Sequence, residues 1–331
     1  MKLISSKLLP SPCPIPGREP RITHIGLVQT KWLESPEAHA EQLAVGVSTC
    51  AEAGANVVFL PELTLSRYPA DTRPEGPADA SAEDLENGPS LALAKKLAQD
   101  CDVHLQISLF ERSGAADQRG LNTSVTVSPN GEVVGRTRKL HIPVTEGYFE
   151  DHYFAEGPAD GPYPVHTLEL DGLDLKLGNP TCWDEWFPEV ARCYALAGAD
   201  LLCYPTAIGS EPDYPGFDTA PLLRRVIAGH ATANGVFIAL PNRFGSEGLI
   251  QFYGASCLID PFGRTLVEAP RDEAAALVAE IDLGQRDDWL TLFPFFATRR
   301  PDTYGALTDP KVNPRLPDGR AENGGIPGIK S

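Results

Sequence analysis

Three short segments, far apart in the chain, carry side chains whose types suit acyl transfer. In Gly178-Asn179-Pro180-Thr181-Cys182-Trp183-Asp184-Glu185 a cysteine stands between a strand pattern and a helix pattern. A tight elbow there would present the sulfur, and the following helix N-terminus would favour thiolate over a thiol whose ordinary pKa is about 8.5. The backbone N–H of Trp183 would face a developing oxyanion. In Phe59-Leu60-Pro61-Glu62-Leu63 a carboxylate directly follows an apolar strand, at the edge where sheet proteins build their sites, and it can carry protons. In Arg136-Thr137-Arg138-Lys139-Leu140-His141 the lysine is a fixed positive charge able to lower a thiol pKa and to hold a negatively charged oxygen or nitrogen.

Each segment taken alone has a plainer account. Cysteines fill core space, a glutamate after a strand caps a loop, and most basic runs are solvated. Cys193 and Cys203 fall inside a helix pattern and a strand pattern, where packing accounts for them. His141 could pair with Cys182 as a papain-like base, but no protease signature surrounds the cysteine.

The elements that must position these groups are legible in outline. The opening reads strand (Ile22 to Gln29), helix (Pro36 to Glu52), strand (Asn56 to Leu60), helix (Ser90 to Asp100), strand (Val103 to Phe110). Hairpin patterns follow: Asn122 to Val127 with Glu132 to Arg138, and Val165 to Leu170 with Leu173 to Leu177. A helix from Phe187 to Ala197, a strand from Leu201 to Tyr204, a helix from Pro221 to Asn234 and a strand from Val236 to Leu240 come next. Ala255 to Ile259 and Thr265 to Val267 close the series. Alternation interrupted by hairpins predicts an α/β fold with two sheets sandwiched between helix layers.

Bulk composition narrows the function classes. The 331 residues include 45 acidic and 28 basic side chains, a formal net charge of −17. Such a surface repels phosphate backbones and anionic lipid, which argues against nucleic-acid and membrane partners. The seven cysteines form no C-x-x-C pair, so neither a zinc site nor a redox dithiol is expected, and they read as reduced thiols of a cytoplasmic protein. Residues 1–20 are Pro-rich and lack an apolar run, and read as a loose extension. Residues 21–283 read as one domain, and residues 284–331 as a C-terminal arm.

Taken together, Pro61-Glu62-Leu63, Arg138-Lys139-Leu140-His141 and Cys182-Trp183-Asp184-Glu185-Trp186-Phe187-Pro188-Glu189 resemble, in order and spacing, the three motifs of the nitrilase, or carbon-nitrogen hydrolase, superfamily. The resemblance spans about Arg21 to Leu283. It implies a four-layer-forming α-β-β-α sandwich, a Glu-Lys-Cys triad of Glu62, Lys139 and Cys182, and no metal or organic cofactor. It also implies a second glutamate that orients the triad: Glu150, in Gly147-Tyr148-Phe149-Glu150, with Glu146 as the alternative.

Tyr204 to Pro212, Gly229-His230-Ala231 and Pro241-Asn242-Arg243 look most like N-carbamoylputrescine amidases, which implies an N-carbamoyl amine or a related small-molecule amide as substrate. Tyr68, Trp183, Glu211 and Asn242 are the substrate-binding candidates, Glu211 or Asp213 as partner of a substrate ammonium. Two residues depart from the family pattern. Pro180 interrupts the apolar approach to the cysteine, and Arg67 stands before Tyr68 where relatives commonly have glycine. An aliphatic amidase or nitrilase with the same triad is the alternative activity, and a catalytically silent scaffold the distant one. Homo-oligomers are expected from the family, with Phe293-Pro294-Phe295-Phe296 either at an interface or folded back on its own subunit.

Overall fold

A computed structural model describes residues 1–309. The chain starts with a strand, β1 (Lys2–Ser6), rather than a loose tail. Next come β2 (Ile22–Gln29), α1 (Pro36–Glu52), β3 (Val57–Phe59), α2 (Pro89–Cys101) and β4 (His104–Glu111), then β5 (Leu121–Val127) and β6 (Val133–Arg138). Local chemistry sets the helix ends. Ser35 Oγ accepts the Ala38 N–H at the start of α1, and Asp102, at φ 53°, turns the chain out of α2 in the left-handed conformation.

A second group of elements follows: β7 (Val165–Leu170), β8 (Leu173–Gly178), α3 (Pro188–Leu196), β9 (Leu201–Cys203), α4 (Ala220–Asn234) and β10 (Phe237–Leu240). A separate hairpin, β11 (Phe244–Glu247) and β12 (Ile250–Tyr253), leads to β13 (Cys257–Ile259) and β14 (Thr265–Glu268). β15 (Ala275–Asp282) then returns to the first sheet and α5 (Gln285–Leu292) follows it. The first sheet runs β1-β15-β2-β3-β4-β5-β6 and the second β14-β13-β10-β9-β8-β7.

Strand periodicity explains the layering, because successive side chains point to opposite faces. On β2 and β3, Ile25, Leu27, Val57 and Phe59 face the second sheet and meet Leu177, Leu201 and Phe237. Val28, Val58 and Leu60 face the other way, under Leu43 and Val47 of α1 and Leu91 and Leu97 of α2. Across the molecule, Val190 and Tyr194 of α3 and Leu223 and Ile227 of α4 cover Leu202 and Ile238. The result is the expected α-β-β-α order. Burying each large apolar side chain contributes about 1.5–3 kcal/mol.

Five elements depart from the sequence expectation. β1 pairs in parallel with β15, and the rest of the supposed extension is fastened: Arg18 reaches Asp282 at 2.7 Å and Asp288 at 2.9 Å. Five residues with only partial alternation are too short a signal to read. β15 was overlooked because its Ala-rich apolar run suits helix and strand alike. The β11–β12 hairpin turns on Gly248 at φ 57°, and α5 begins at Gly284 without a side-chain cap, so neither has a strong marker. Within the described residues the C-terminal stretch folds back: Trp289 Nε1 donates to Thr232 O at 2.8 Å, and Phe296 packs against the α3–α4 layer. Residues 310–331 of the predicted arm lie outside the described residues. No helix among those described is long and apolar enough to cross a membrane.

Candidate active site

The three sequence segments converge at one end of the sheets. Glu62 lies just past β3, Lys139 directly follows β6, and Cys182 opens a 3₁₀ turn, Cys182–Trp186, after β8. Lys139 Nζ donates to Glu62 Oε1 at 2.9 Å and to Glu150 Oε2 at 2.7 Å, and all three side chains are buried. Of the two candidate second glutamates, Glu150 therefore reaches the lysine, whereas Glu146 is exposed. Burial alone would lower the Lys139 pKa, but Glu150 and Glu62 outweigh it and raise the value well above the ordinary one, so the group stays an ammonium.

Two further groups support the pair. Asn122 Nδ2 donates to Glu62 Oε1 at 2.7 Å, and Tyr68 OH donates to Glu150 Oε1 at 2.7 Å. Burial raises Glu150, and Glu62 adds to that, while Lys139 opposes; the balance puts it at about 7. Glu62 Oε1 thus holds two donors, while Oε2 is buried without a partner among the described residues. Below it, Arg243 Nη2 donates to Glu62 O at 2.7 Å and Leu63 O at 3.0 Å, fixing a turn in which Leu63 has φ 48°. Arg243 in turn pairs with Glu247 at 2.7 Å, and Glu247 Oε2 accepts the Tyr68 N–H at 2.8 Å.

Cys182 is held in a left-handed conformation, φ 43°, an uncommon state for a residue with a side chain, and its N–H donates to Pro205 O at 3.0 Å. Asp184 secures the turn. Its Oδ2 accepts the Thr181 N–H at 3.0 Å, while its Oδ1 accepts the His141 N–H at 3.0 Å and meets His141 Nδ1 at 2.7 Å. His141 also stacks on Phe187 with ring centroids 3.8 Å apart, so this histidine ties the lysine segment to the cysteine turn. Pro180 costs no ladder bond, because pairing of β8 with β9 ends at Gly178.

The expectation of a ready thiolate needs correction. Burial pushes the Cys182 thiol well above its ordinary value and Glu62 pushes it further, with Lys139 opposing. The surroundings of Cys182 therefore favour the neutral thiol over the thiolate.

The substrate-binding candidates separate. Tyr68 is fully buried and serves Glu150. Asn242 is also fully buried and spends its whole amide on the fold: Oδ1 accepts from Ile208 N and Arg243 N, and Nδ2 donates to Ile208 O and Gly254 O. It is a strut between loops, with no donor left for a ligand. Trp183 is half-buried, its ring 6.4 Å from that of Trp186. Glu211 is half-buried, accepts from Thr219 Oγ1 at 3.4 Å, and is raised by burial; Asp213 is exposed. Beside Glu211 a cleft of about 320 Å³ is lined by Ser210, Phe217, Thr219, Gln251, Tyr253 and Arg271. Arg67 is paired with Asp71 at 2.5 Å.

Asn122, Arg243 and Glu247 had not been singled out for these roles. Asn122 had a signal: Asn122, Thr123, Ser124 and Thr126 are polar residues in the buried part of one strand, an expensive pattern unless each is bonded.

Residues 24–290 match the carbon-nitrogen hydrolase family. The chain belongs to that family. The hydrolase is 37% identical over 262 residues to an N-carbamoylputrescine amidase of Arabidopsis thaliana, covering 77% of this chain and 84% of the relative. It is 33% identical over 287 residues to a citrullinase of Francisella tularensis, covering 86% and 97%. In three dimensions it is similar to a carbon-nitrogen hydrolase from Helicobacter pylori G27, with a TM-score of 0.77, 30% identity, and coverage of 88% of this chain and 100% of that one. The hydrolase therefore has the nitrilase-type α/β fold and acts on carbon-nitrogen bonds other than peptide bonds, as an amidase with a small-molecule amide substrate.

Proposed function

We propose that this amidase hydrolyses an N-carbamoyl amine, N-carbamoylputrescine or a close relative, through Cys182, Glu62 and Lys139, with Glu150 as orienting group. The carrying observation is the division of labour on Glu62: Oε1 is held by Lys139 and Asn122, Oε2 is buried without a partner among the described residues, and the Glu62 charge acts on the Cys182 thiol. In this reading Oε2 takes the Cys182 proton as sulfur attacks the carbamoyl carbon. Lys139 and the Trp183 N–H stabilise the oxygen anion. Glu62 returns the proton to departing ammonia, leaving a thiocarbamate on Cys182. Water then gives a proton to Glu62 and attacks; the thiol is restored and the released carbamic acid breaks down to amine and carbon dioxide.

Glu211, beside the cleft, supplies the negative charge that suits a distal ammonium. A second reading, citrulline as substrate, is favoured by the Arg271–Asp218 pair, 2.8 Å apart, that lines the same cleft, since an α-amino acid head carries both charges. The deciding experiment measures ammonia release from N-carbamoylputrescine, citrulline, aliphatic amides and nitriles side by side. Fastest turnover of an amide or nitrile would overturn the carbamoyl reading. The same reading takes the enzyme as a homo-oligomer, as cytoplasmic, supported by its seven unpaired thiols, and as without nucleic-acid partners, supported by its acidic surface.

A further inference from the structure

The 3₁₀ turn that carries Cys182 also carries Glu185, and in such a turn side chains three apart lie one above the other. Glu185 is fully buried. Its Oε2 lies 3.3 Å from Thr206 Oγ1, and its Oε1 has no partner among the described residues. Thr206 belongs to the segment that anchors the other reacting groups: Pro205 O accepts the Cys182 N–H, and Thr206 O accepts the Glu62 N–H. One short segment therefore gathers the nucleophile, the base and this additional carboxyl.

The Thr206 hydroxyl has a single hydrogen, shared between Tyr204 O at 2.7 Å and Glu185 Oε2 at 3.3 Å, so the carboxyl receives only the longer arm of that bond. Burial raises the Glu185 pKa, as does the charge of Glu62, with Thr206 and Lys139 opposing and Asp184 adding to the rise, and the acid stays well above the ordinary carboxyl range. Tyr253, whose buried hydroxyl lies near Thr219, senses both Glu185 and Cys182 and also lines the outer cleft.

We propose that Glu185 is a specificity-determining residue whose Oε1 accepts an N–H of the bound carboxamide or ureido group. On this proposal two carboxyl oxygens without a partner among the described residues, Glu62 Oε2 and Glu185 Oε1, meet a substrate that brings several N–H donors. An amide or urea satisfies them. A nitrile has no N–H and leaves a buried acceptor unpaired, so the site selects against it.

This inference rests on the amidase reading, and the test separates the two. Wild-type, E185Q and E185M proteins are compared for ammonia release from a carbamoyl amine, a simple amide and a nitrile. E185Q, which keeps an acceptor, should stay within about threefold of wild type with an unshifted pH profile. E185M, similar in volume but without an acceptor, should raise KM for the carbamoyl amine roughly tenfold with kcat changed less, and should narrow the amide-to-nitrile ratio. Equal KM and equal ratios in E185M and E185Q would overturn the acceptor role. A loss beyond tenfold, or a new pH limb, in folded E185Q would overturn it as well, and this comparison decides the matter even where E185M folds poorly. Wild-type protein inactive on every amide and carbamoyl amine would instead remove the amidase reading itself.

Discussion

Glu150 Oε2 lies 2.7 Å from Lys139 Nζ, nearer than Glu62 Oε1 at 2.9 Å, so the carboxylate assigned no chemical step holds the lysine most closely. Two carboxyls share one ammonium in a buried site, and the charge state of Glu150 decides how strongly Lys139 is committed. E150Q should lower kcat by about 10–100-fold, the usual cost of losing an orienting partner, with less change in KM. Steady-state kinetics checks this, and unchanged kcat would refute the orienting role.

Stability should depend on pH through the same residue. The folded-state pKa of Glu150 is raised from 4.5 to about 7. A raised carboxyl contributes stability that is fully present below its unfolded value and is lost as pH rises through the folded one. Wild type should therefore lose stability relative to E150Q between about pH 4.5 and 7. Urea unfolding of both proteins at pH 5 and pH 8 measures the difference, and a constant gap would contradict the assignment.

The thiol offers a test in which ionisation and activity move in opposite directions. Glu62 raises the Cys182 pKa, so E62Q should ionise at lower pH than wild type while losing about 10²–10⁴-fold in kcat, the span expected for a missing general base. Thiolate absorbance of wild type, E62Q and their C182A counterparts isolates this cysteine from the other six. A more acidic thiol with full activity would mean that Glu62 is not the base. C182A itself should release no ammonia and melt within a few degrees of wild type.

Removing Lys139 should cost stability as well as activity. K139M leaves Glu62 and Glu150 buried without a cation, and breaking a buried pair costs about 3–5 kcal/mol. A melting point unchanged at pH 8 would show that water or protonation compensates fully.

H141A separates an amidase from a papain-like protease. The ring is bonded to Asp184 and stacked on Phe187, so its loss should loosen the cysteine turn and lower kcat by less than about tenfold. Loss of all turnover would restore the histidine as a base.

Much of this site was legible in the sequence because its groups sit where a strand pattern stops: Glu62 after β3, Lys139 after β6, Cys182 after β8. Strand ends are the most readable positions, since periodicity breaks there. What was not legible depends on contacts across the fold. Arg243 supports Glu62 from 181 residues away, and nothing local in Pro241-Asn242-Arg243 announces it. The thiolate expectation failed for a related reason: the elbow geometry was read correctly, but burial beside a second carboxylate cannot be read from neighbours in sequence. β15 escaped because composition does not distinguish a buried strand from a helix in an Ala-rich run.

The position of β15 governs how the molecule can be made. It lies between β1 and β2, matched residue for residue to β2 from Ala275↔Gln29 to Asp282↔Ile22. Until the ribosome has delivered nearly the whole domain, β2 is an open edge with unpaired backbone groups, and β1 has nowhere to attach. A nascent chain stalled anywhere before residue 275 therefore presents a sticky rim to its neighbours, and the late strand is the clasp that removes it.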